Sequence, residues 1–192
     1  PGSQSVANAW DNGNTLWFNH LAQKGYLIVC VDGRGTGYKG AAYKKATYKN
    51  LGKYEIEDQI TAAQWLSNLP FVDKSRIGIF GWSFGGYMAS LALTKGADTF
   101  KMGIAVAPVT NWRYYDTVYT ERFMLTPQEN PHGYDDNSPT HYAHLLKGKF
   151  LMIHGTADDN VHFQNAMEFS EALIQHNKKF EFMAYPDKNH GI

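Results

Sequence analysis

Arg76-Ile77-Gly78-Ile79-Phe80-Gly81-Trp82-Ser83-Phe84-Gly85-Gly86-Tyr87-Met88-Ala89-Ser90-Leu91-Ala92 is the stretch on which the reading of this chain turns. A short apolar run, a serine between glycines and a helical segment of small residues follow one another without a gap. Gly81-Trp82-Ser83-Phe84-Gly85 fits the G-x-S-x-G turn, which lifts a serine above a sheet edge between a strand and a helix. Glycines flank such a serine because strand and helix approach too closely for side chains. The helix leaving the turn offers unpaired backbone N–H groups to charge developing on a substrate oxygen. In a plain turn, Ser83 would only cap that helix. The strand, the glycines and the helix together favour a nucleophile.

Outward from this segment, strand-like runs alternate with segments of helical period. Residues 26–31, 76–81, 102–107, 149–154 and 180–185 read as strands. The first, Tyr26-Leu27-Ile28-Val29-Cys30-Val31, is unalternating, as expected of a strand covered on both faces. Residues 10–24 read as a helix with Leu16, Trp17, His20 and Leu21 on one side, ended by Gly25. Residues 54–69 read as another, with Ile56, Ile60 and Ala63 on one face. Residues 84–95, 110–125 and 162–177 complete the set. This alternation predicts an α/β domain spanning 1–192, with a mostly parallel sheet and helices on both faces. Functional loops then belong at the carboxyl ends of the strands.

A serine needs an imidazole to take its proton, and the imidazole needs a carboxylate to hold its tautomer. Around an elbow of this kind the chain order is serine, acid, histidine. Of eight histidines, His132, His141, His144, His154, His162 and His176 follow Ser83 outside the loop after the last strand. Only His190, in Pro186-Asp187-Lys188-Asn189-His190-Gly191, lies within it. The acid belongs after the preceding strand, where Asp158 and Asp159 compete. Asp158 is preferred, and Asp159 reads as a turn or cap residue before the helix at 162. Ser83 and Asp158 are 75 residues apart, and Asp158 and His190 are 32 apart, room for strand–helix units between them.

Other features exclude whole classes. Eighteen Lys and Arg balance 18 Asp and Glu, which argues against a phosphate-neutralising nucleic-acid surface. The single cysteine, Cys30, permits no intrachain disulfide and no cysteine-based zinc cluster. No apolar run approaches the roughly 18 residues of a membrane span, so no membrane contact is expected of this segment. Gly35-Thr36-Gly37-Tyr38-Lys39-Gly40 spells G-x-G-x-x-G. However, Asp32-Gly33-Arg34 separates it from the strand, and Glu55 and Glu57 fall inside a helix, so it reads as a surface loop without cofactor. His141 and His144 lack an obvious third ligand, so no metal is expected. Trp112, Tyr115, Tyr119 and Phe123 recur at spacings of three and four and are expected on one helix face. Such a stripe serves as core or as a pocket wall. Its place after Pro108-Val109, at a strand end, favours a flat aromatic box suited to a compact apolar ring such as proline.

Taken together, Gly81-Trp82-Ser83-Phe84-Gly85-Gly86-Tyr87, Ala107-Pro108-Val109, Trp112-Arg113-Tyr114-Tyr115-Asp116, Tyr119-Thr120-Glu121-Arg122, His154-Gly155-Thr156-Ala157-Asp158-Asp159-Asn160-Val161-His162-Phe163 and His190-Gly191-Ile192 closely resemble the prolyl oligopeptidase family of serine peptidases. Within it, the dipeptidyl peptidase IV branch fits best, over nearly the whole chain, Asp32-Gly33-Arg34-Gly35 included. The resemblance implies an α/β-hydrolase fold with Ser83 as nucleophile, Asp158 as acid, His190 as base and the N–H of Phe84 as an oxyanion donor. It implies a proline pocket walled by Val109, Trp112, Tyr115, Tyr119 and Val161. Asn160, with Arg122 as a further candidate, would hold the neighbouring peptide carbonyl. The implied partner is a peptide with a penultimate proline; the implied parent is an exported or membrane-anchored homodimer. An esterase or acylaminoacyl peptidase, a catalytically silent binding relative and a nucleotide-binding oxidoreductase are the rival readings.

Phe84 stands where the branch often has a tyrosine, which removes one hydroxyl from the implied pocket, and three larger departures accompany it. The family's second oxyanion donor, a tyrosine, precedes a Gly-Pro turn in which this sequence begins at Pro1. The N-terminal propeller and the helix after the histidine loop are also outside it. The chain therefore reads as a segment truncated at both ends. Alone, it is expected to turn over feebly, since one lost oxyanion donor costs about 100- to 1000-fold.

Overall fold

The strand before Ser83 is the first of four that pair in chain order, all parallel: β1 (Gly78–Trp82), β2 (Met102–Val106), β3 (Lys149–Gly155) and β4 (Glu181–Tyr185). The structure is a computed structural model, and it describes residues 14–192. Among these residues the helices are α1 (Asn14–Gln23), α2 (Ala41–Lys45), α3 (Lys53–Leu66), α4 (Phe84–Thr94), α5 (Thr117–Met124), α6 (Pro131–Asp135) and α7 (Gln164–Gln175). Parallel pairing needs a crossover between neighbouring strands, and α4 and α7 lie in two of those connections.

In-register partners share a face, so Gly81, Ala105 and Met152 stand side by side on one side of the sheet. That side carries α4, buried from Gly86 to Thr94, and α7, whose Phe169 meets Phe150 edge to face. Leu91, Leu93, Met152, Phe169 and Leu173 are fully buried there. Each such side chain contributes about 1.5–3 kcal/mol. α4 reads as apolar all round because the sheet, α3 and the 3₁₀ segment Pro139–Leu145 enclose it. Phe80, Trp82, Met102, Met183 and Tyr185, on the opposite face, stay at least 40% exposed. Covering of that second face does not come from the described residues.

Two expectations need correction. Residues 26–31 form no strand, and Tyr26, Leu27 and Val29 are exposed. A strand exists only against a partner, and this run finds none among the described residues. Residues 10–13 of the first expected helix lie outside the described residues. In the part that is described, Leu16 and Trp17 are more than half exposed, so their stripe does not face a core. The glycine-rich loop at 35–40 leads into the five-residue α2, with no side-chain cap at its start. It therefore has neither the strand nor the long helix of a dinucleotide site.

α3 begins with a buried carboxylate. Glu55 Oε2 accepts the N–H of Gly52 at 2.9 Å, while Oε1 is buried without a partner. Burial raises the Glu55 carboxyl from an ordinary 4.5 to about 7. The folded chain thus holds this proton between those values and the unfolded chain does not. Stability falls as pH climbs through that window, by up to about 3 kcal/mol. Glu55→Gln is therefore expected to raise the melting temperature near pH 8 and to leave it little changed near pH 4.5. Thermal unfolding at both pH values checks this, and an equal effect at the two would refute it.

Candidate active site

Ser83 sits between β1 and α4 with φ 58° and ψ −116°. A side chain in this left-handed region costs about 1–3 kcal/mol and persists only when its surroundings enforce it. Here they do. The Ser83 N–H donates to Val106 O at 2.8 Å, and Ser83 O accepts from Tyr87 N at 3.0 Å, which starts the helix. A Cβ on Gly81 would lie 2.1 Å from Gly85 O, so only glycine allows this chain reversal. The Ser83 side chain makes no capping bond. Phe84 is the first residue of α4, and its N–H belongs to the helix's unpaired first turn.

Asp158 follows β3 in a tight turn, its side chain wholly buried. Oδ1 accepts the N–H groups of Asn160 at 3.0 Å and Val161 at 2.9 Å. Oδ2 lies 2.8 Å from His190 Nδ1. A carboxylate only accepts, so Nδ1 carries the proton and Nε2 keeps its lone pair for a hydroxyl donor. The His190 side chain is 22% exposed, open enough to meet a substrate. The acid turn and the histidine loop are stitched together by backbone. Thr156 N donates to Tyr185 O and Ala157 N to Lys188 O, both at 3.0 Å. Gly155 is required between them, since a Cβ would fall 2.2 Å from Lys188 O. Asp159 is exposed, and the residue before α7 is Phe163, so Asp159 does not cap that helix.

The aromatic stripe departs from its expected single helix. Trp112 lies in a 3₁₀ turn, Tyr115 is extended, and only Tyr119 and Phe123 share α5. Asn111 and Asp116 each cap a new helical start, accepting Arg113 N and Tyr119 N, and so break the run. The rings still meet. Trp112 stacks on Tyr119 at 5.8 Å, Tyr115 meets both edge-on, and Phe84 lies 5.8 Å from Trp112. Val109 and Val161 are buried. Burial raises the Tyr115 phenol and pushes that of Tyr119 to about 12, so both stay neutral donors. The Tyr115 hydroxyl donates to Asn160 Oδ1 at 2.8 Å, joining this wall to the acid turn. The Arg122 guanidinium lies over Phe123 at 4.7 Å. His141 and His144 contact rings, Tyr142 and His176 respectively. Among the described residues no group of His, Cys, Asp or Glu is placed to hold a metal.

One functional contact escaped the sequence reading. The indole N–H of Trp82 donates to His190 O at 3.1 Å, tying the histidine loop to the strand that delivers Ser83. A tryptophan directly before the serine, with an indole N–H to place, is the only signal the sequence carries for it. Trp82→Phe is expected to lower kcat roughly 10- to 100-fold by loosening this loop, with KM little changed. Steady-state kinetics on the full-length protein measure this; an unchanged kcat would refute it.

A parallel sheet that carries a strained serine between strand and helix, with an acid and a histidine after its last two strands, is an α/β-hydrolase. Residues 14–192 match the prolyl oligopeptidase family, and the chain belongs to that family. Human prolyl endopeptidase FAP is 47% identical across the whole of this chain, which covers 25% of that protein. The probable dipeptidyl-aminopeptidase B of Trichophyton verrucosum is also 47% identical, with 22% of its length covered. The crystal structure of Porphyromonas gingivalis dipeptidyl peptidase 4 matches with a TM-score of 0.94 at 52% identity, over all of this chain and 27% of its own. The chain thus spans about a quarter of the length of these relatives.

Proposed function

We propose that this chain carries the catalytic site of a serine exopeptidase that releases N-terminal X-Pro, and less readily X-Ala, dipeptides through an acyl-enzyme. The observation that supports it most is the 2.8 Å bond from His190 Nδ1 to the buried Asp158, with an aromatic wall anchored to the same acid turn through Tyr115 and Asn160. Ser83 Oγ attacks the scissile carbonyl carbon and passes its proton to His190 Nε2. The N–H of Phe84 donates to the oxyanion. His190 then protonates the leaving amine, and the bond from the carbonyl carbon to that nitrogen breaks, leaving the acyl group on Ser83 Oγ. Water repeats the sequence on the acyl-enzyme and frees the dipeptide. Val109, Trp112, Tyr115, Tyr119 and Val161 enclose the proline ring, while Asn160 and Arg122 hold the adjoining carbonyl. The resemblance adds an exported, homodimeric parent whose remaining domain selects the free amine.

A second reading, cleavage inside a chain after proline, is favoured by the name of the human relative. The full-length protein separates the two. Exopeptidase action predicts turnover of a Gly-Pro anilide and little turnover of its N-acetylated form. Comparable rates on both would favour internal cleavage, and turnover of neither would remove the peptidase reading.

A further inference from the structure

We propose that His154 is a positioning residue that clasps the acid turn and holds Asp158 in line with His190. The proposal rests on the triad reading above. His154 lies on the helix-covered face near the end of β3, with none of its surface exposed. Its Nε2 is 2.7 Å from Val161 O and 3.3 Å from Asp158 Oδ2. Both neighbours are acceptors, so Nε2 carries the proton and gives it chiefly to the carbonyl, with the carboxylate as the weaker second acceptor. The oxygen it approaches is the one that receives His190 Nδ1. Two imidazoles thus flank one carboxylate oxygen, one facing the reaction and one facing the core.

The second imidazole does not serve packing alone. Its Nδ1 is buried without a partner, a cost that an apolar ring of the same shape, edge-on to Phe163 at 5.6 Å, would avoid. Burial lowers its affinity for a second proton, so it stays neutral and meets Asp158 Oδ2 through its Nε2–H alone. Its single N–H ties together both ends of the turn. One end is the carboxylate; the other is Val161, a wall of the proposed pocket.

The test uses the full-length protein and Gly-Pro anilide. His154→Phe keeps the ring and removes the donor. It is expected to lower kcat about 10- to 100-fold with KM little changed, and to erase the far-downfield proton resonance of the His190–Asp158 bond. His154→Gln places an amide N–H where Nε2 sits and is expected to recover most of both. His154→Asn places its amide where Nδ1 sits and is not, so the Gln–Asn contrast serves if the Phe protein fails to fold. A Phe variant with unchanged kcat and intact resonance overturns the proposal, as does a Gln variant no better than Phe or Asn. Ser83→Ala separates the two levels. Turnover that survives it brings down the triad reading, and this proposal with it. A failed His154 contrast in a Ser83-dependent enzyme brings down this proposal alone.

Discussion

In the full-length protein, Ser83→Ala is expected to lower kcat for a Gly-Pro anilide by about a millionfold and to abolish labelling by a fluorophosphonate. On the proposed mechanism the loss is that large because a nucleophile and its base act as a unit. Without Oγ no acyl-enzyme could form, and the N–H of Phe84 would be left to stabilise only a direct attack by water. The fold should survive. The Ser83 side chain makes no capping bond, and the elbow is held by its backbone bonds to Val106 and Tyr87. Active-site titration alongside turnover measures the effect. A residual rate within tenfold of the parent's would remove Ser83 from the mechanism.

Asp158→Asn should cost about ten-thousandfold in kcat, with a small change in KM. The turn can persist, since Oδ1 still accepts the N–H groups of Asn160 and Val161. The new amide nitrogen then falls where Oδ2 was, facing His190 Nδ1 and His154 Nε2. It is a donor meeting donors. His190 must turn its Nδ1 lone pair toward it and move its proton to Nε2, where the ring can no longer accept from Ser83. Kinetics of this variant, together with its melting curve, separate a wrong tautomer from a collapsed turn. A near-native kcat in a folded Asn variant would exclude Asp158 as the orienting acid.

Much of this arrangement was legible because it is local. β1, the serine turn and α4 are contiguous, and the glycines mark where backbones touch. Asp158 and His190 were legible one step further out, since parallel strands place the loops that follow them at one sheet edge. The break in the aromatic stripe has a visible signal in Asn111 and Asp116, both residues that favour helix starts, which the spacing of the four rings does not register. Residues 26–31 have the composition of a strand, and composition carries no information about a partner.

Chain order and residue type therefore specify an α/β sheet, a strained serine turn, and the loops that carry Asp158 and His190, because each follows from a single strand–helix unit or from the parallel order in which such units stack. They do not specify that Trp82 ties down the histidine loop, that Tyr115 reaches Asn160, or that His154 shares an oxygen of Asp158 with His190. Those contacts join residues from different loops, or set one side chain's direction against another's. Hydrogen bonds fail over fractions of an ångström, and only the packed sheet sets distances that finely.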